Sequence, residues 1–272
     1  VFEQGLKTIS GILKTGAQEH WYLETQSCIC IPQEAGEFLV HSSTQHPSET
    51  QAVIAEVLGI SANKITVETR RMGGAFGGKE TQANHVAAWS ALLSSVTGQP
   101  VKIHLFRDDD QIMTGKRHRF KSKYTAAFDA DGKIHALDVE LNSDGGASLD
   151  LSGAILERAL FHVDNAYFIP NLRVTGRIWK TNLPPNTAFR GFGGPQGMAV
   201  VETVIDRIAR QIGKDSTEIR LKNFYGESTG TVTHYGQKLT DIRLKLLSER
   251  IIKNSNYHAL RRHVDTFNQN HE

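Results

Sequence analysis

Apolar and polar residues alternate in short runs through the first part of the chain. "CICIP" (28–32) and "EFLVHSST" (37–44) read as two strands, with "QEAG" (33–36) as the turn between them. Pro47 and Ser48 then open a helix. Ser48 is placed to cap it, Gln51 stands at the capping-box position, and Gly59 ends it after an apolar stripe of Val53, Ile54, Val57 and Leu58. "KITVETR" (64–70) predicts a strand that runs into a glycine-rich loop. "TQANHVAAWSALLSSVTG" (81–98) predicts a helix closed by Gly98, and its many small residues point to tight packing. A strand at "PVKIHLF" (100–106) and a long hairpin over 118–146, turning at Asp131-Gly132, come next.

"GAILERALFHV" (153–163) reads either as a short helix or as an irregular buried segment. "NLRVTGRIWKTN" (171–182) reads as a strand, followed by a second glycine-rich loop, "AFRGFGGPQG" (188–197). The helix "MAVVETVIDRIARQIG" (198–213) follows, with Val201, Ile205, Ile208 and Ile212 on one side. "STEIRLKNF" (216–224) is a short helix, and the chain is mostly helical from about Thr240. The order strand, glycine loop, helix thus occurs twice, with "GAFGG" (74–78) echoed by "RGFGG" (190–194). This predicts an internally duplicated α+β fold. Its two lobes of related strand–Gly-loop–helix units span 1–145 and 146–272, the second including the C-terminal helices.

A chain of 272 residues can bury a substantial core. Lys and Arg total 31 against 29 Asp and Glu, so net charge demands no polyanionic partner. Cys28 and Cys30 lie two apart on one strand face, where side chains run parallel. They read as buried thiols of a reducing compartment. No apolar run is long enough to span a membrane and no signal-peptide pattern opens the chain, so a cytoplasmic location is expected. Val1 is not an initiator Met, and the chain reads as a fragment of a longer one.

"RRMGGAFGGKE" (70–80) invites three readings. Gly73, four residues, then Gly78-Lys79 fits a phosphate-binding loop until Glu80 takes the place of the Ser or Thr that ligates Mg²⁺. A dinucleotide fingerprint fails because Ala75 stands where its second glycine belongs. In the third reading, backbone amides come close to an anionic or oxo group, since glycine permits close approach and consecutive amides can face an anion. Spacing alone does not separate that site from a pair of tight turns.

"RMGGAFGGKET", "ERALFHVDNAY" and "KTNLPPNTAFRGFGGPQGM", with "QEHWYLETQ" and "HSSTQHPSETQ", occur in order from about Gly16 to the C-terminus. They resemble the first part of the molybdenum-binding region in the xanthine dehydrogenase and oxidase family of molybdenum hydroxylases. The resemblance implies a molybdopterin-binding domain fold and a molybdenum–molybdopterin cofactor. Gln45, Phe76, Gly77 and Arg190 would lie against that cofactor, with Gln45, Phe76 and Arg190 around the molybdenum itself. Glu80, Arg158 and Phe192 would contact a purine: two polar groups at its rim and an aromatic ring on its face. Aldehyde oxidases of similar sequence usually lack the Glu and Arg combination.

The implied reaction hydroxylates a purine carbon, hypoxanthine or xanthine on the way to urate, with water as the oxygen source. The resemblance assigns the catalytic base to a Glu beyond Glu272, so no catalytic residue is expected in this chain and the chain alone should be inactive. FAD and 2Fe-2S clusters are expected on other domains or subunits, because two cysteines cannot hold a four-thiolate cluster. The remaining molybdopterin-binding domain, the FAD and iron–sulfur domains and a dimer of the full enzyme are the implied partners.

Other features carry less. The twelve histidines show no H-E-x-x-H, and His20, His41 and His46 lack zinc-like spacing to Cys28 and Cys30. Arg117, Arg119, Lys121 and Lys123 predict one basic strand face. Such a face is commonly solvated or a subunit contact, and without an aromatic platform it is a poor nucleic-acid site. The competing reading of the whole chain is a non-catalytic scaffold or remnant that keeps the fold without the cofactor. The intact Gln45, Phe76, Glu80, Arg158, Arg190 and Phe192 count against it.

Overall fold

The computed structural model describes residues 5–271. β1 (Lys7–Thr15) is followed by the hairpin of β2 (Ser27–Pro32) and β3 (Phe38–Ser42). α1 (Pro47–Leu58) then crosses over to β4 (Ile65–Glu68), which pairs parallel to β3. The first glycine loop leads into α2 (Ala83–Thr97), and β5 (Val101–His104) returns antiparallel to β2, giving a sheet of order β4-β3-β2-β5.

α3 (Arg107–Met113) connects to a repeat of the same plan. β6 (Phe120–Phe128) and β7 (Ile134–Gly146) form the long hairpin. α4 (Ser152–Phe161) crosses over to β8 (Leu172–Lys180), parallel to β7, and the second glycine loop leads into α5 (Gly194–Ile212). β1 pairs antiparallel with β6, so the second sheet reads β8-β7-β6-β1, the order of the first with β1 in the place of β5. Hairpin, crossover helix, parallel strand, glycine loop and helix therefore recur as one supersecondary unit, and the fold is mixed α and β with two four-stranded sheets. α6 (Ser216–Asn223), α7 (Leu244–Asn254) and α8 (Tyr257–Asn270) complete the chain.

The division drawn near residue 145 falls at the end of β7, whose ladder continues to β6 on one side and β8 on the other. By sheet, 27–104 make one unit, while 7–15 join 120–180 in the other.

Each unit packs its helices on one face of its sheet. In the first, Cys28, Cys30, Val40, Ile54, Ile65, Val86, Ala87 and Ala91 form the core. The small residues of α2 let it lie close to β2, as their number implied. Both thiols are free and buried, and burial pushes that of Cys28 up to about 12. In the second, the longer β6 and β7 bury Phe128, Leu137, Val139 and Leu141 against Val201, Val204, Ile205 and Ile208 of α5.

Gly59, Gly98 and Gly213 end α1, α2 and α5 in the left-handed conformation that the missing Cβ makes cheap. Two local expectations are corrected. The residue preceding α1 is His46, and no side chain caps the helix. Gln51 instead donates to the carbonyls of Ala62 and Ile65 at 3.0 and 2.7 Å, tying α1 to the start of β4. Arg117 and Arg119 both precede β6, which begins only at Phe120; Arg119 still lines a groove with Lys121 and Lys123, whereas Arg117 does not.

Candidate functional site

The two glycine loops meet in space. Phe76 and Gly77 have φ of +53° and +99°, and Phe192 and Gly193 have φ of +47° and +93°, so the repeated Phe-Gly step has one backbone shape in both units. A left-handed phenylalanine is strained and persists only where its surroundings hold it. Arg190 N–H donates to the Phe76 carbonyl at 2.9 Å, and a Cβ on Gly77 would stand 2.8 Å from the Ala188 backbone. The bare glycine is what lets the loops touch.

Gln45 reaches the first loop from the end of β3. Its Oε1 accepts from Gly77 N–H at 2.9 Å and Lys79 N–H at 3.3 Å, and its own N–H donates to the Lys79 carbonyl at 2.8 Å. Backbone amides only donate, so the carboxamide must turn its oxygen inward. Nε2 is thereby left as an outward donor. Among the described residues, no protein acceptor receives the Phe76 N–H. The Arg158 and Arg190 guanidinium groups likewise form no ion pair or hydrogen bond there, and both residues are exposed.

Lys79 settles the phosphate-loop reading. It is fully buried beneath the loop, where its ammonium pairs with Glu24 at 3.1 Å, donates to Ser43 Oγ at 2.7 Å and lies 4.7 Å from the centre of the Tyr22 ring. It cannot reach a phosphate. Burial drives the Lys79 pKa below its usual value despite Glu24. For Glu24, burial favours the neutral form most strongly, but hydrogen bonds from Gly73, Ser43 and Lys79 outweigh it and lower the pKa. His20 bridges the loops. Its ring lies 2.7 Å from where a Cβ on Gly78 would be, and its Nε2–H donates to the Ala188 carbonyl at 2.6 Å. Burial lowers its pKa and favours the neutral ring.

Glu80 follows at the approach to α2 and is half-buried. Burial, the largest influence, raises its pKa; Glu49 and Asp150 push the same way, against His46. No hydrogen bond or ion pair joins Glu80 to Arg158. They are linked through α4: Asp150, just before that helix, binds the side chains of Thr81 and Gln82, and Arg158 sits further along it. The second loop packs on the same helix, since a Cβ on Gly193 would lie 2.0 Å from the Ile155 carbonyl oxygen. Phe192 is therefore brought alongside α4. Arg117, displaced from the strand face, covers Phe189 at 4.0 Å and donates to the Arg190 carbonyl at 2.8 Å.

The basic strand face lies elsewhere, on a groove of about 670 Å³ lined by Lys14, Arg119, Lys121, Lys123, Arg177 and Trp179 among others. Part of its charge is compensated in place. Glu140 on β7 lies 3.7 Å from Lys123 and 3.3 Å from Arg177, and Asp138 pairs with Arg173.

Sequence reasoning found the loop residues and missed their supports. His20, Glu24 and Asp150 lie in no local pattern, and a lysine in a glycine loop reads as solvent-facing. Only the quoted "QEHWYLETQ" pointed at His20 and Glu24, without a role.

The residues fit a molybdenum–pterin group in kind. The Gln45 Nε2 and the Phe76 N–H are uncharged donors suited to oxo ligands, and the Arg190 guanidinium suits an anionic complex.

Residues 1–224 match the molybdopterin cofactor-binding domain family. The chain is 48% identical over 269 residues, 98% of its length, to a xanthine dehydrogenase/oxidase of Felis catus. It is 42% identical over 272 residues to a xanthine dehydrogenase of Emericella nidulans. It spans 20% of the length of each. An aldehyde oxidoreductase from Desulfovibrio gigas superposes with a TM-score of 0.86 at 27% identity, over 95% of this chain and 28% of that one. Quinoline 2-oxidoreductase from Pseudomonas putida 86 shares the fold, with a TM-score of 0.87 at 24% identity, over 99% of this chain and 35% of that one. With its paired glycine loops and a match over most of its length, this chain belongs to the molybdopterin cofactor-binding domain family.

Proposed function

We propose that this chain forms the molybdenum-facing and substrate-facing wall of a molybdenum hydroxylase that oxidises purines, carrying hypoxanthine and xanthine to urate with water as the oxygen source. The observation that carries the reading is the pinned Gln45 carboxamide. Its Oε1 is consumed by Gly77 and Lys79, which leaves Nε2 as a donor; the Phe76 N–H, one residue before Gly77, has no protein acceptor among the described residues, and Glu80 directly follows Lys79. The names of the relatives, xanthine dehydrogenase and its oxidase form, support the purine.

The molybdenum–molybdopterin group, when bound, supplies the two-electron oxidation. Gln45 Nε2 and the Phe76 N–H would hold that group by donating hydrogen bonds to it, and Gly77 would leave room for it. The Arg190 guanidinium would favour negative charge on the group. Burial raises the Glu80 pKa, and its carboxyl group hydrogen-bonds the rim of a heterocycle. Arg158 meets negative charge that builds on the ring, and Phe192 stacks on its face. FAD and 2Fe-2S clusters on other domains or subunits would take the electrons, the catalytic base would lie outside this chain, and the full enzyme would be a cytoplasmic dimer. Among the described residues no helix is long and apolar enough to cross a membrane.

The test uses the full-length enzyme. Glu80→Ala and Arg158→Ala should each lower purine kcat/KM by at least roughly tenfold, the scale of a lost charge-assisted hydrogen bond. Molybdenum per chain, measured by elemental mass spectrometry, should stay unchanged. Full xanthine turnover in both variants would remove the substrate roles.

A further inference from the structure

Asp150 has φ of +42°, a left-handed value that costs a non-glycine residue energy and is kept only where the surroundings over-determine it. Its carboxylate is fully engaged. Oδ2 accepts from Thr81 Oγ1 and from Gln82 Nε2, each at 2.8 Å. Oδ1 accepts from Thr187 Oγ1 at 2.8 Å and from Leu151 N–H at 2.6 Å. Three segments converge there: the approach to α2, the approach to the second glycine loop, and the start of α4. The network extends one step, because Gln82 Oε1 accepts from Gly115 N–H at 2.9 Å.

Thr81 is the residue after Glu80. From Leu151 to Arg158, α4 is a rod of about 10 Å at 1.5 Å per residue. That rod cannot slide against the second loop, since Gly193 and Gly197 lie directly on its backbone at Ile155 and Ala159. One carboxylate thus joins the segment that carries Glu80 to the helix that carries Arg158, across the boundary between the two units.

We propose that Asp150 is a positioning residue that fixes the separation of Glu80 and Arg158, and so sets selectivity for a flat, rigid heterocycle over smaller substrates. The proposal rests on the purine reading above. Two hydrogen-bonding groups that grip opposite parts of one rigid ring must be held to within a fraction of an ångström. A small aldehyde has no second rim to grip and is indifferent to that separation. A plain brace for the fold would affect both substrates equally.

The test compares Asp150→Asn with the wild type in the full-length, cofactor-loaded enzyme. Asn accepts a left-handed φ, so the change removes the carboxylate and leaves the backbone. The expected result is a purine KM raised at least about tenfold, with kcat/KM for a small aldehyde within about twofold, since misplacement penalises only the doubly held ligand. Amide hydrogen exchange should quicken together at 81–84 and at 151–152. Thr81→Val, which removes one donor, should give a smaller change in the same direction. A parallel loss of purine and aldehyde turnover, or exchange that stays slow in either segment, overturns the proposal. A wild-type enzyme that oxidises aldehydes but no purine overturns the purine reading and, with it, the assigned selectivity; the exchange measurement then decides whether Asp150 couples the two segments.

Discussion

Beneath the first glycine loop lies a buried ammonium; beneath the second lies bare helix backbone. Lys79, Glu24, Ser43, Gln26 and Gln45 hold the first loop by hydrogen bonds and charge, with Gln26 Nε2 donating to the Gly78 carbonyl at 2.8 Å. The second is held by contact: Gly193 and Gly197 lie against the Ile155 and Ala159 carbonyls of α4, so close that an added Cβ would stand 2.0 and 2.3 Å away. Both units share one topology and one left-handed Phe-Gly step. One backbone shape is therefore reached by polar anchoring in a unit with short strands and a small core, and by steric fit in a unit with long strands and a large core.

The contrast breaks most severely at Gly193. Gly193→Ala should cost on the order of 3 kcal/mol or more, because a β-carbon there is both strained at φ +93° and overlapping a backbone carbonyl. The urea midpoint of unfolding reads it, and a near-neutral alanine would show that the second loop is not held by contact. Lys79→Met should cost less, about 2 kcal/mol, since Glu24 is 34% exposed and keeps Gly73 and Ser43 as donors. Adding Glu24→Gln should recover part of that loss, and strict additivity of the two changes would argue against the buried pair.

Acid should separate the units by pH window. His118, fully buried with its ring 2.7 Å from Ser152 at the start of α4, has its pKa lowered by burial to about 4, with Asp150, Asp144 and the Thr187 backbone opposing. A lowered histidine pKa means that the unfolded chain binds its proton first. Stability therefore falls as pH drops from about 6.5 toward about 4, by on the order of 3 kcal/mol in total. Glu24 acts in a different range. Its depressed pKa contributes stability that is fully present above the ordinary glutamate pKa and is lost only as pH falls below it. Hydrogen-exchange protection in α4, corrected for the intrinsic rate at each pH, should thus fall between pH 6 and 5, while the first loop stays protected. His118→Gln should flatten that dependence; an unchanged slope would remove His118 as its cause.

The sequence carried what local pattern can carry. β2, β3 and the β6–β7 hairpin followed from the sequence pattern, and Gly59 and Gly98 marked helix ends because few residues other than glycine take up that conformation cheaply. The site-facing loops were legible because their glycines and the echoed Phe-Gly-Gly are local. Their anchors were not. Lys79 finds Glu24 across 55 positions, and Gln82 finds Asp150 across 68. No period or spacing encodes a partner at that distance.

The smallest effect tests where local reading misled. In α1, the helix that corresponds to α4, Ser48 stands where a capping box would place it, yet the structure gives the helix no side-chain cap. Gln51, the expected partner in that box, donates instead to Ala62 and Ile65 within its own unit. Gln51→Ala should therefore cost about 1 kcal/mol, the net worth of an ordinary hydrogen-bonding side chain. Ser48→Ala should stay within about 0.5 kcal/mol, as for a surface change away from any such feature. Denaturant titration of the two variants decides the order. A larger loss at Ser48 would mean that α1 is capped in solution as the sequence pattern indicated. The expected order would mean that α1 is tied to its own sheet, whereas the start of α4 is tied across to the other unit through Asp150.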